Sequence, residues 1–433
     1  MSNSITIPAG SSSETITIVT IDDGEEEDTE TINITLTSVN NSQVTIGSQN
    51  QATITILDNT TPFVLQPEDT TMYMVNPNAT PETVALFYNL KTLASTNIIV
   101  GQQDAFSRFY NNIGGDSDIK KTTGSDPGLL GSDFMFITDD LNDETQSNWY
   151  FQQEQMIKSD AIEAYNKGMV NIFAWHLREP YQGEEFYTSN MTEFQKNNAF
   201  ISILPGGENH EYYKGKLQKV AQVAGSMVGA DGNLVPFIFR PFHEFDGHWF
   251  WWGADYCTPQ QFKELWQFTV HYLRDTLNVN NILFSFSPDN LYNSEAEYLN
   301  RYPGDAYVDV LGMDNYSDLD NMGQSGFDAA NEKLQIISNL AKDRVKIAAL
   351  TETAYFVTPG QNNPIPDFYS DDLYGMLTEN DVELGFMMFW INREDSYCTP
   401  VPGLSSASDF IDFVNMPEPI LQNQLPQMYV LPN

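Results

Sequence analysis

Val235-Pro-Phe-Ile-Phe-Arg-Pro241, then the helix-like stretch Pro259–Thr276, then Asn281-Ile-Leu-Phe-Ser-Phe286 decide the fold. Two nearly continuous apolar runs flank an amphipathic segment. That is the signature of parallel strands covered on both faces, joined by a crossover helix. The pattern repeats outward in both directions. Strand-like runs fall at Asn97–Gly101, Asp133–Thr138, Met169–Trp175, Val235–Pro241, Asn281–Phe286, Val308–Met313, Val345–Thr351 and Leu384–Trp390. Helix-like stretches lie between them, among them Gln152–Lys167, Tyr213–Gly229, Asp328–Ala341 and Asp371–Glu379. Eight such units predict a (β/α)8 barrel of the α/β class, with long loops. An open doubly wound sheet is the alternative. Against it, no strand-turn-helix carries a Gly-x-Gly-x-x-Gly fingerprint or a phosphate loop.

The chain before this region is of another kind. No Lys or Arg occurs before Lys91. Ser4–Ile7, Thr15–Ile21, Thr31–Leu36 and Ala52–Leu57 alternate apolar with polar residues, which predicts half-buried antiparallel strands. The expected organisation is a β-rich segment over residues 1–58, a proline-bearing linker over 59–85, a barrel over 86–425 and a tail over 426–433.

The 433 residues carry 59 Asp and Glu against 20 Lys and Arg, a formal charge of −39. Such a chain lacks the basic face that phosphate contacts need, so nucleic acid is not an expected partner. Nor is a polybasic membrane contact. A neutral ligand fits better. No run of about 18 apolar residues predicts a membrane span, and Met1–Thr6 has neither the basic nor the apolar region of a signal peptide. Cys257 and Cys398 are the two cysteines, which excludes a disulfide framework and a Cys-rich zinc module. Both are read as unpaired thiols.

In a barrel, polar residues just past strand C-termini form the site. The fourth strand runs into Arg240-Pro-Phe-His-Glu-Phe-Asp-Gly-His-Trp-Phe-Trp-Trp-Gly253, and the seventh into Thr351-Glu352-Thr353. Each delivers one glutamate to the same rim. Two carboxyl groups facing each other amid aromatic rings suit glycoside hydrolysis, one as proton donor and one as nucleophile or base. Glu244 alone also reads as a rim salt bridge, but its neighbours His243 and Trp249–Trp252 favour catalysis. His-Glu-x-x-His and Gly-x-Ser-x-Gly are absent, so neither a zinc site nor a serine nucleophile is expected.

The run from Arg240 to Gly253 closely resembles the signature of glycoside hydrolase family 26, chiefly β-mannanases. The resemblance extends over about residues 85–425 through Gly101-Gln-Gln-Asp104, Trp175-His176, Met313-Asp-Asn-Tyr316, Thr351-Glu352 and Phe389-Trp390. It implies a retaining endo-hydrolase on a (β/α)8 barrel. Glu244 would be the acid/base and Glu352 the nucleophile, with Tyr316 donating its hydroxyl to Glu352. His243 would bond sugar or nucleophile, and His176 the sugar at the cleavage subsite; a buried structural histidine is the other reading of each. Trp249 and Trp390 would be sugar platforms, against core packing. Arg240 would support the acid rather than touch substrate. Asp246 departs from the family pattern, where many members carry Asn or another small polar residue, so the resemblance does not carry a sugar contact over to it.

The expected activity is endo-β-1,4-mannan hydrolysis of mannan, glucomannan or galactomannan, by a secreted or cell-surface monomer that needs no cofactor. The family also holds β-1,3-xylanases and mixed-linkage β-glucanases. A non-catalytic glycan-binding surface protein is the reading from another class. Residues 1–58 resemble part of a Calx-β module, which implies Ca²⁺ binding at the acidic loop Asp22–Asp28. A solvated loop guarding a sheet edge is the competing and preferred reading, since half the module is missing.

Overall fold

The computed structural model describes residues 4–7, 29–56 and 63–432. The chain forms two compact units, 1–64 and 65–433. In the first, β1 (Glu30–Thr35) and β2 (Gln51–Ile56) pair antiparallel, with Ile32 opposite Ile54. The run Thr15–Ile21 and the acidic loop 22–28, with its Ca²⁺ expectation, lie outside the described residues.

In the second unit, eight parallel strands follow one another in chain order. They are β3 (Ile98–Gln103), β4 (Leu129–Asp133), β5 (Val170–Trp175), β6 (Phe237–Pro241), β7 (Ile282–Phe286), β8 (Val310–Asn315), β9 (Ile347–Thr353) and β10 (Phe386–Phe389). Pairing of β10 with β3 closes the barrel. A two-residue strand, β11 (Pro419–Ile420), adds to the outer start of β3. The strands are buried because helices cover them outside while Ile99, Ile172, Ile238, Leu283, Val310 and Ile347 pack together with little or no exposure. The helix Pro259–His271 shows how its ends are fixed. Thr258 and Gln261 form a reciprocal capping box, and Pro259 needs no amide donor at the first helical position.

Three expected boundaries differ from the structure. The second barrel strand is Leu129–Asp133, not Asp133–Thr138. Phe134 turns inward against Phe173, Phe237 and Phe239, while the Met135 amide donates to Asp133 Oδ1 at 2.7 Å. The Phe-Met-Phe run is therefore a rim turn with a buried ring. Secondly, residues 65–85 are not a linker. Leu65, Met74 and Val84 join Leu86, Phe87 and Leu90 against the strand starts. The Val75 amide donates to Asp309 Oδ1 at 2.8 Å, just ahead of β8. Pro67 and Pro81 open helical turns, with Thr80 capping the second. Thirdly, the C-terminal segment is packed. Met428 is 1% exposed, and Asn89 donates to the carbonyls of Gln427, Met428 and Val430.

This arrangement makes a truncation prediction. A chain starting at residue 65 should keep the thermal transition of the second unit. One starting at residue 81 should lose stability, because burial of a side chain such as Leu65 or Met74 is worth about 1.5–3 kcal/mol. Equal melting temperatures for the two truncations would show that residues 65–80 do not help close the barrel.

Candidate active site

The end of β6 supplies the first carboxyl group. After Pro241 the chain enters a tight turn in which Phe242 and Glu244 have φ of 54° and 53°. Side-chain-bearing residues adopt this left-handed region only when their surroundings hold them there. The Glu244 amide donates to the Ser287 carbonyl at 2.9 Å, and Gly247 returns its amide to the Glu244 carbonyl at 3.1 Å. Position 247 must be glycine, because an added Cβ would sit 2.4 Å from the Trp249 ring. The Trp249 indole N–H donates to Glu244 Oε2. Trp249, expected as a sugar platform, thus turns its polar edge to the acid.

The end of β9 supplies the second. Asp314 of β8 pairs with Glu352 where Met313 pairs with Leu350, so β9 carries one extra residue at Thr351. Such a bulge re-aims the side chain that follows it. Glu352 is 3% exposed. Its Oε2 accepts the Tyr316 hydroxyl at 2.9 Å, and its Oε1 accepts Arg240 Nη2. Arg240 Nη1 reaches Asp314 Oδ2 at 2.6 Å, and Thr351 Oγ1 donates to Asp314 Oδ1 at 2.7 Å. Arg240 therefore serves Glu352 and Asp314, not Glu244 as the family resemblance implies. Its side chain leaves β6 toward the barrel axis and meets the far wall, whereas Glu244 sits beyond the turn.

Carboxylate oxygens of Glu244, Asp314 and Glu352 all lie within 4.8 Å of one another. A divalent cation could be imagined among three such groups, but the Arg240 guanidinium already supplies positive charge to two of them. Burial pushes the Glu244 pKa well above the ordinary value, and the charges of Asp314 and Glu352 push it further. Burial likewise raises Asp314, with Arg240 opposing it. The Tyr316 hydroxyl is held far above its usual range by burial and by Glu352, so it stays a donor.

The remaining expected residues meet at one cavity of about 190 Å³, lined by His176, His243, Glu244, Glu352, Tyr316, Tyr187, Phe250, Phe356, Trp390 and Arg393. His176 follows β5 and is tied by Nδ1 to Asp133 Oδ2 at 2.5 Å. Burial alone would raise the Asp133 pKa; His176 and two backbone amides bring it below the usual value. The His243 ring stands edge-on to His176, with centroids 4.6 Å apart. Burial, then Arg240 and His176, hold its pKa well below 6.5, so it is neutral. Its Nδ1 is buried without a partner among the described residues. Trp390 follows β10 and is partly exposed. A second chamber of about 430 Å³ shares His176, Tyr187 and Trp390 and continues toward Asp104, Phe136 and Trp149. Cys257 and Cys398 are free and buried.

Sequence reasoning missed Asp314 and Asp133. Asp314 lies inside a quoted motif, at a strand end where a carboxylate needs a reason. Asp133 was assigned to a strand start, when it is a strand end on the rim.

Residues 75–358 match the model of glycosyl hydrolase family 26. A mannan endo-1,4-beta-mannosidase of Bifidobacterium adolescentis is 32% identical over 323 residues, covering 73% of this chain and 31% of that protein. One from Bacillus subtilis is 26% identical over 269 residues, covering 59% of this chain and 69% of that protein. The chain thus spans under a third of the first relative's length. Among solved structures, GH26C from Muricauda sp. is 64% identical with a TM-score of 0.85, covering 86% of this chain and 99% of that one. A GH26 beta-mannanase from Bacteroides ovatus is 31% identical with a TM-score of 0.71, covering 81% and 98%. Fold, signature and rim glutamates agree with these likenesses: the chain belongs to glycosyl hydrolase family 26.

Proposed function

We propose that this chain is a retaining endo-β-1,4-mannanase acting on mannan, glucomannan or galactomannan outside the cell. The observation that carries the mechanism is the close approach of two unequal glutamates, with oxygens within 4.8 Å. Retaining hydrolases hold their carboxyl groups about 5–5.5 Å apart, whereas inverting ones leave roughly 6.5–9.5 Å for a water. Glu352, bonded to Arg240 and Tyr316, is the nucleophile that attacks the anomeric carbon. Glu244, half-buried among carboxylates, starts protonated and gives its proton to the leaving oxygen. In the second step it takes a proton from the water that releases the sugar. His176 and His243 contact sugar hydroxyls, and Trp390 offers a flat face to the ring at the cleavage point.

The named mannanases among the relatives support mannan as substrate. The charge of −39 suits a neutral polysaccharide. Among the described residues no helix is long and apolar enough to cross a membrane, and a polymeric substrate is met outside the cell. Reducing-sugar release from mannans, β-1,3-xylan and mixed-linkage glucan tests the assignment. Release from mannans alone is expected; release from xylan or glucan alone would move the chain to another activity of the family. No release from any would return it to glycan binding.

Glu352→Ala should lower turnover by several powers of ten while the protein stays folded, because the covalent step is lost. A purified variant retaining more than about a tenth of the rate would sink this role. The first product seen by proton NMR should be the β-anomer; an initial α-anomer means inversion.

The pH dependence has a definite sign. Glu244 must be protonated to act, so activity should persist above the range of an ordinary glutamic acid and fall as pH rises through its elevated pKa. Stability responds in parallel. A carboxyl whose folded pKa is raised contributes stability that is fully present below its unfolded pKa and lost as pH rises through the folded one. Glu244→Gln should therefore melt close to wild type below pH 4.5, the ordinary glutamate value, and above wild type at neutral pH. A gap that closes with rising pH would mean that Glu244 is not held protonated.

A further inference from the structure

We propose that Asp246 is a positioning residue for Glu244, acting as a side-chain clasp between the turn after β6 and the turn after β7. The inference rests on the reading of Glu244 as proton donor. Residues Ser287–Asp289 follow β7 and act as a hub. The Ser287 carbonyl accepts the Glu244 amide at 2.9 Å, and the Pro288 carbonyl accepts the Asp314 amide at 2.9 Å. The Asp289 amide donates to Asp246 Oδ1 at 2.7 Å. One short turn thus fastens the acid/base, the carboxylate that partners Arg240, and Asp246. Of these three bonds only the last uses a side chain.

The clasp has a reason to exist. Glu244 sits at φ 53° two residues from Phe242 at φ 54°. A turn with two such residues relaxes unless something holds it. The Glu244 amide bond fixes the start of the turn, and Asp246 fixes its end. Beyond it, Gly247 accepts the Ala254 amide at 2.8 Å, which closes the loop over the Trp249 ring.

Asp246 touches neither Glu244 nor Arg240 through any hydrogen bond or ion pair found among the described residues. Its second oxygen, Oδ2, is buried and without a partner among them. Burial, then the charge of Asp289, push its carboxyl up to about 7. It therefore sits in the clasp largely uncharged below neutrality, facing Asp289, Tyr292 and Tyr298, with Arg301 and Glu297 lining the same cavity of about 230 Å³. A carboxyl that neither pairs with a cation nor faces the sugar cavity is explained by the backbone amides it meets, the Asp289 amide at hydrogen-bond distance and that of Leu291 beside it.

The test separates loss of acid placement from loss of fold. A sugar leaving group needs a proton, whereas dinitrophenolate leaves without one. Asp246→Ala should lower kcat on β-mannan at least about tenfold. First-turnover release of dinitrophenol from dinitrophenyl β-mannobioside should fall less than about threefold. Asp246→Asn keeps the acceptor oxygen and should retain at least about half of both rates. Asp246→Ser, too short to reach the Asp289 amide, should show the same split as Ala and serves if the Ala variant does not fold. Equal losses on the two substrates, an Asn variant as slow as Ala, or an unimpaired Ala variant would overturn the proposal. Glu244→Ala is measured beside them. If that variant itself shows no split between the substrates, it is the proton-donor reading that fails.

Discussion

The site depends on where one buried cation points. Arg240 is fully buried, and its two terminal nitrogens go to Asp314 and Glu352. A buried guanidinium is tolerable only when carboxylates pair with it, and buried carboxylates only when a cation or donors satisfy them. Burial opposes the charge on Arg240, but Asp314 and Glu352 more than offset it. The consequence is asymmetry. Glu352 accepts hydrogen bonds from a guanidinium and a phenol. Among the described residues Glu244 has only the Trp249 N–H, in a cluster of carboxylates whose charge raises its pKa. Two residues of the same type thus sit in opposite settings, Glu352 against a cation and Glu244 among carboxylates, and burial together with those carboxylates raises the Glu244 pKa.

That asymmetry would be useless without rigid placement, and the placement is strained. Non-glycine residues in the left-handed region cost on the order of 1–3 kcal/mol each. Phe242 and Glu244 both lie there. The cost is offset by packing. Phe242 is 1% exposed, and its ring lies 6.2 Å from Phe262 and 6.4 Å from Trp266. Trp252 donates its indole N–H to the His243 carbonyl at 2.8 Å. The aromatic run after Glu244 is thus mostly scaffold. Trp251 and Trp252 are fully buried, and Trp249 is spent on the acid. Of the expected platforms, only Trp390 lines the cavity.

Much of this was legible in the sequence, for physical reasons that also mark the limits. Strands buried on both faces read as apolar runs, so β5, β6 and β7 were placed within two residues. The β4 boundary failed because Leu129-Leu130-Gly131 is short, while Phe134-Met135-Phe136 looks more strand-like than it is. At Gly131 a side chain would meet Gln103 Oε1 at 2.2 Å, so the weak residue is the one the barrel needs. Residues 65–85 read as a linker because proline so often breaks an element, yet they pack on the barrel. Pro67 and Pro81 are helix starts, where proline is favoured. Glu244 and Glu352 are legible as a rim pair, and Tyr316 joins them through the family resemblance. The partner of Arg240 was not, because sequence gives the strand that carries a side chain but not what lies across the axis.

Barrel closure is the last link. β6 and β9 are separated by β7 and β8. In an open sheet, three steps of about 4.8 Å would set the two strands roughly 14 Å apart, with side chains on one face standing parallel rather than pointing at each other. Pairing of β10 with β3 bends the sheet until the C-terminal ends of β6 and β9 face each other across the axis. The turn after β6 and the bulge in β9 then aim the carboxyl groups inward. A doubly wound sheet could carry the same residues on the same strands but would stand these side chains side by side, whereas the closed barrel turns them toward one another, with oxygens within 4.8 Å. Closure is therefore what turns two glutamates from strands three places apart into an opposed pair.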